Sequence, residues 1–511
     1  MNRQSRLHFF YFWGLLLLVM TAFGYWQIQS YGPASLHSWR QADGAAQAFR
    51  YYLDGMHFWQ PATFHALPHN DGQAVAEFPL LYYVSAAIFH LTGPSSAVLR
   101  WVHFGIFAGG LFAFSRFLLE RWGSLFHSIF LPFLLLGSPV VAFYAFNFIP
   151  NPPALGYGLL AVYAWWRYRR QQQISWYWGA ILLLLLCGLI KPTLLVPYGV
   201  WGVLGTLAQF RTRAPYARYF PRGLAWWAGQ LLVAGGGLAW IYWANAYNEA
   251  HRSPIFLTQL APIWSMTSER ITYTWNYIHT YNYVRYFPRL ILVLTGFLLI
   301  WSLFRSLYRP AWRGWLLWGG VLAGGSVFLL FFRQFLTHSY YFIDLLPLVL
   351  LTWVWAWHGW QRDRRSLFDS PWVHGGLGIL LIGSLWYAKT HLDTQYSKHG
   401  ELQYFQPDFQ HPAPLRAFVD SLGIDYDRDR VVIIGDRSAN EALYYLGRKG
   451  TTVAYRPFIR ASTVRVLAEK GYHYAVVVGT PPARDSLDQV LTDPIGVYGD
   501  SIRVYRTAPV D

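Results

Sequence analysis

The sequence predicts a mainly α-helical polytopic membrane bundle followed by a small α/β domain. Three observations carry that expectation. Only 13% of the 511 residues are charged and 54% are hydrophobic, whereas a soluble protein carries about 25% charged residues. Most of residues 8 to 388 is apolar runs broken by short, arginine-bearing loops. Beyond residue 388 the chain turns charged, and short β-branched runs alternate with helical periodicity.

The formal net charge of +16 invites a nucleic-acid reading. The arginines sit between apolar runs, however, which is the topology signal of membrane proteins, so a nucleic-acid partner is set aside. The start, "MNRQSRLHFFYFWGLLLLVMTAFGYW", resembles a signal sequence. Its apolar run has spanning length and no small-residue cleavage site, so a first membrane helix is expected. Taking about 20 apolar residues per span, the candidates are 8–28, 97–115, 123–145, 152–166, 175–190, 192–208, 223–244, 288–304, 314–332, 339–358 and 371–388, about eleven in all. Cys187, the single cysteine, lies inside "ILLLLLCGLI" and reads as a small apolar side chain.

The stretch "FPLLYYVSAAIFHLTG" (78–93) is short and is expected to lie in the interface. Counting it as a span would reverse the side of every later loop. With it lying flat, the loops holding Arg116 and Arg121, Arg167, Arg169 and Arg170, and Arg211, Arg213, Arg218 and Arg222 share one side. Those with Arg305, Arg309 and Arg313, and with Arg362, Arg364 and Arg365, join them there. By the positive-inside rule that side is cytoplasmic. The exoplasmic side receives a first loop of about 29–96, "FNFIPNPP" (146–153), a loop at 246–287 and the C-terminal tail. The chain thus divides into a membrane part, 1–390, and an exoplasmic domain, 391–511.

In that tail "RVVIIGD", "TTVAY" and "HYAVVVG" read as buried strands, and "SANEALYYLGRKG" and "ASTVRVLAEKG" as helices ending in glycine. "VIIGDRSAN" lacks a GxGxxG pattern, which argues against nucleotide binding. "DYDRD" (425–429) lacks the glycine and closing glutamate of a calcium loop and reads as a solvated turn.

Four places could carry chemistry. In "WRQADGAAQAFRYYLDG" (39–55), Asp43, Gln47, Arg50 and Asp54 recur at helical spacing, while Ala42, Ala45, Phe49 and Leu53 form another face. This predicts an amphipathic interfacial helix whose apolar face meets lipid or neighbouring helices and whose polar face points into a wet cavity, or simply meets water. Glu77 stands directly before the re-entrant-like stretch. Lys191, in "GLIKPTLL", ends a span just before Pro192; it either snorkels or meets a lipid phosphate. "FLTHSYYFIDLLP" sets His338, Tyr340, Tyr341 and Asp344 at the exoplasmic start of a late span. Aromatic belts explain the tyrosines but explain a carboxylate less well. All four fall on one membrane face. A carboxylate, cations and hydrogen-bonding aromatics there suit group transfer from a phosphorylated lipid.

In these stretches the chain resembles the GT-C superfamily of glycosyltransferases, near the protein O-mannosyltransferases and the lipid A aminoarabinose transferase. The first loop opening with an aspartate, "WRQADGAAQAFRYYLDGMHFWQP", then "EFPLLYYVSAAIFHLTGPSSAVLR", "GLIKPTLL" and the "H.YY" with "LLP" carry the likeness in order and spacing. The resemblance implies a polyprenyl-phosphate-linked sugar donor and a glycan, lipid or protein acceptor. It makes Asp43 the catalytic carboxylate, with Glu77 in a second acidic role. Lys191, with Arg40 or Arg50, would engage the donor phosphate, and Gln47, Asn151, His338, Tyr340, Tyr341 and Asp344 would line the cavity. A bacterial inner membrane with a periplasmic site is the implied location. Two departures stand out: Gly44 follows Asp43 where many members keep an acidic pair, and Asn151 replaces an aspartate of the second loop. They weaken any metal-bridging scheme, so a divalent metal is left unassigned. Histidines 37, 57, 65 and 69 beside Asp71 fit no zinc spacing. The competing reading is a flippase for the same lipid-linked sugar, which predicts matching internal repeats; none is evident.

Overall fold

The computed structural model describes residues 3–256, 260–308, 312–397, 409–436, 438–453, 461–479, 487, 491 and 494–507. Helix forms at each of the eleven apolar stretches. By length and composition, Arg3–Ala22, Ser96–Trp122, Pro192–Phe210, Leu224–Ala250, Arg289–Tyr308 and Ser339–Asp363 can cross a membrane. The bent pair Leu125–Leu136 and Pro139–Ala145 would make a seventh. This is a multi-pass membrane protein.

Among the described residues six or seven candidate spans are long and apolar enough to cross a membrane, against the eleven expected, for local reasons. Pro192 forces the residue before it out of helical backbone, so Ile174–Ile190 stops after 17 residues with Lys191 at φ −145° and ψ 90°. The 123–145 stretch turns by 82° at its Gly137–Pro139 break, the shape of a broken or re-entrant span. Asn151–Gln171 opens on two prolines and closes on Arg169 and Arg170. Arg309 lies outside the described residues. At the arginine-rich end Glu120 accepts hydrogen bonds from Tyr163, Trp166, Arg167 and Arg170, clasping two helices together.

The first-loop helix, Ser38–Leu53, corrects a second expectation. It is buried on nearly every side, from Gln41 to Tyr51 without a break, so it does not float in the interface. Its alanine-rich face lets other backbone approach closely. Ala42, Ala45, Ala46, Ala48 and Phe49 share one core with Tyr82 and Phe89 of the Leu80–Thr92 helix and with Leu443, Tyr444 and Tyr445 of the C-terminal domain. The apolar stripe expected to meet lipid or neighbouring helices is capped by that domain.

The domain holds a five-stranded sheet in the order β2-β1-β3-β5-β4. The expected strands are β1 (Arg430–Ile434), β2 (Gly450–Val453) and β3 (Tyr472–Val478), mutually parallel. The sequence reading missed β4 (Pro494–Tyr498) and β5 (Ile502–Arg506), an antiparallel pair joined through Gly499 at positive φ. "DYDRD" is a turn, Asp425 accepting from the backbone of Asp427 and Arg428.

The first loop is stitched to this domain. Phe64 and Ala66 exchange backbone hydrogen bonds with Gly450, so the loop covers the edge that β2 would leave open. Asp71 pairs with Arg50 at 3.2 Å, Lys449 at 3.0 Å and Arg430 at 3.7 Å, and Tyr426 donates to Asp54. Arg100, the arginine that closes the resembling stretch, is fully buried and donates to the carbonyls of Tyr31, Gly32 and Phe146. It fixes where the first loop leaves the membrane part.

Candidate active site

Asp43 faces inward from the first-loop helix and is 5% exposed. One turn earlier Arg40 lies 3.7 Å from its Oδ2. The same guanidinium donates a short hydrogen bond to Glu77 and lies over the ring of Phe256. Glu77 is brought there by its neighbour, because the backbone N–H of Phe78 donates to the carbonyl of Leu189 at 3.2 Å. That bond ties the first loop to the end of the helix that releases Lys191 two residues later. Glu77, Arg40 and Lys191 are close enough to feel one another's charge.

Burial pushes the Asp43 carboxyl up to about 7; Arg40 pulls it back, Glu77 pushes it further, and a hydrogen bond from Asn440 favours its charge. Burial also opposes charge on Glu77, yet Arg40 and then Lys191 hold it below the usual carboxylate range. Two neighbouring acids thus part: Glu77 is ionised while Asp43 titrates near neutrality.

Lys191 lies 3.8 Å from Asp344, an ion pair too long for a hydrogen bond. Its ammonium lies over the rings of Tyr341 at 4.3 Å and Tyr340 at 5.9 Å. Asp344 is fully buried and accepts from Asn151 at 2.8 Å and from Thr193 at 2.6 Å. Asn151 therefore supplies no charge of its own, but it grips a carboxylate delivered by another helix. His338 stacks on His37 and meets Tyr340 edge-on, an aromatic wall beside this pair. His37 donates to the Thr337 carbonyl and pairs with the Tyr144 hydroxyl; burial lowers it to about 4, so it is neutral.

The structure thus brings together Asp43, Arg40, Glu77, Lys191, Asp344, Asn151, His338, Tyr340 and Tyr341. Two expected residues turn away. Arg50 is spent on Asp54, Asp71 and the Thr63 carbonyl. Gln47 donates to the Ala74 carbonyl, bracing the loop before Glu77. Among the described residues no three His, Cys, Asp or Glu side chains are grouped to hold a metal ion. The first-loop histidines diverge, His65 reaching the Ala439 carbonyl while His37 points at Tyr144 and Thr337.

Sequence reasoning missed Tyr82, Thr193, Asn440 and Glu441. The C-terminal pair carried no motif, and only folding brings it to Asp43. Tyr82 explains Gly44: a Cβ there would lie 2.8 Å from the Tyr82 ring, itself 1% exposed. The place of a second acid is filled by an aromatic. Gly44→Ala is expected to cost about 1–3 kcal/mol, read as a lower Tm in detergent.

A cavity of about 510 Å³ opens inside the bundle, and Asp43, Arg40, Glu77, Lys191 and Asp344 are not among the residues that line it. Pro197, Tyr198 and Pro347 line it near Lys191 and Asp344, and Arg121, Arg169 and His358 at the arginine-rich end.

No protein-family model matches the sequence, and no curated protein matches it. Solved structures do. ArnT from Cupriavidus metallidurans is 12% identical with a TM-score of 0.56; in the apo state the alignment covers 96% of this chain and 98% of that one. ArnT bound to undecaprenyl phosphate aligns over 97% and 98% with the same identity and TM-score. The arabinofuranosyltransferase AftD from mycobacteria is 13% identical with a TM-score of 0.54, over 98% of this chain and 42% of that one. Across nearly its whole length, membrane bundle and C-terminal domain together, the chain has an ArnT-like fold.

Proposed function

We propose that the protein transfers a sugar from a polyprenyl-phosphate-linked donor to an acceptor hydroxyl at the periplasmic face of a bacterial inner membrane. The observation that carries this reading is the gathering of a near-neutral carboxyl, Asp43, and the cations Arg40 and Lys191 around Glu77, in a bundle that also holds an apolar cavity. Such a cavity suits the isoprenoid tail of a donor, and ArnT, which shares the fold, was captured with undecaprenyl phosphate. The loops rich in arginine gather at the far end, which by the positive-inside rule supports an exoplasmic site.

In this mechanism the acceptor oxygen attacks the anomeric carbon of the donor sugar as its proton passes to the Asp43 carboxylate. The bond from that carbon to the phosphate oxygen breaks, and polyprenyl phosphate leaves. Arg40 and Lys191 stabilise the charge that grows on the phosphate. Glu77 holds Arg40 in place, and Asp344 holds Lys191. The aromatic wall of His338, Tyr340 and Tyr341 bounds the sugar.

Proteoliposomes given undecaprenyl-phosphate-linked sugars test this directly. Release of undecaprenyl phosphate that requires the protein is expected, with an acid limb of kcat/KM near pH 7 set by Asp43. Movement of the donor across the bilayer without cleavage would instead establish the flippase reading.

A further inference from the structure

We propose that Asn440 of the C-terminal domain is a positioning residue for Asp43, so that the site is complete only with that domain docked. The inference rests on Asp43 being the reacting carboxylate. Asn440 is 1% exposed. Its side-chain oxygen accepts from the backbone N–H of Phe64 at 3.0 Å, which fixes the amide's orientation. The amide nitrogen is then turned onto the first-loop helix, toward the Ala42 carbonyl at 3.4 Å and Asp43 Oδ1 at 3.5 Å. Arg40 stands on the other oxygen, Oδ2. Asp43 is held from both ends by groups that favour its charged form.

The next residue grips the same helix. Glu441 accepts from Ser38 Oγ at 2.9 Å, just over one turn before Asp43. The loop presenting the two residues is itself braced: Ala442 N–H donates to Asp436, and Glu441 N–H to Ser438 Oγ. Two consecutive side chains from one rigid turn therefore clamp the helix at Ser38 and at Asp43. A residue serving only to dock the domain would need the bond to Phe64 and nothing on the carboxylate.

Asn440→Asp separates those roles in the full-length protein. It keeps an oxygen for Phe64 N–H, removes the donor from Asp43 and sets an acid beside it. The expected result is a kcat lower by roughly ten- to a hundredfold, with donor KM within about threefold. The acid limb of kcat/KM should move upward by about one pH unit, because the charged form of Asp43 has lost support. Asn440→Ala should shift the limb the same way by less, and Arg428→Ala, on an exposed turn of the same domain, should leave it in place. If Asn440→Asp keeps the wild-type limb while Asp43→Asn is inactive, the positioning role is overturned and the site assignment stands. A loss of rate that follows Tm with an unmoved limb also overturns it. If Asp43→Asn is active, the underlying reading fails and takes this inference with it.

Discussion

Exchanging Asp43 for asparagine is expected to slow sugar transfer by roughly 10²–10⁴-fold, the usual worth of a positioned acid or base, while making the protein more stable. The two effects share one cause. Burial raises the Asp43 carboxyl from 3.8 to about 7, so the folded state binds this proton more tightly than the unfolded chain does. Stability is therefore fullest below the unfolded value and declines as pH rises through about 7, where the charge must be carried in a buried place. The gap corresponds to about 4 kcal/mol as an upper bound above that range. Asparagine carries no charge, and Glu77 still occupies Arg40. A higher Tm at pH 8, shrinking toward pH 4, together with lost transfer, is the expected signature. A variant that transfers sugar normally, or is less stable at pH 8, would remove Asp43 from the role assigned to it.

The second large effect concerns Lys191. Lys191→Ala should cost about 3–5 kcal/mol, because it leaves Asp344 buried without its cation, and breaking one partner of a buried pair carries that penalty. Asn151 and Thr193 still donate to the carboxylate, which sets the loss toward the lower figure. The double variant Lys191→Met with Asp344→Asn should recover most of the stability, since neither charge remains. It should not recover donor binding if the ammonium meets the phosphate. Thermal melts and donor KM on the two variants separate the two roles. A double variant with wild-type KM would show Lys191 to be a packing residue.

Much of the membrane part was legible because apolar length and arginine placement are local signals. Helices formed wherever eleven runs were read, and Pro192 marked the break that frees Lys191. The number of spans was less legible: a run such as 123–145 has spanning composition, and only its geometry reveals a turn of 82°. At the site, Asp43, Glu77 and Lys191 stood out as charges beside apolar sequence. Arg50 stood out equally and is occupied elsewhere, because nothing local distinguishes an arginine facing a cavity from one facing Asp71. Asn440 and Glu441 were invisible, since their partners lie some four hundred positions away. Asp344 was visible, but its grip on Asn151 was not. The acid that the second loop lacks in sequence is supplied in space.

The roof over the first-loop helix also bears on biosynthesis. Ala42 and Phe49 are made before the strands and helix that bury them, which follow the membrane helices in the chain. Until then the helix carrying Asp43 lacks its packing against that domain and the hydrogen bond from Asn440. A partly made chain can therefore be held in the membrane before the helix that bears Asp43 is covered.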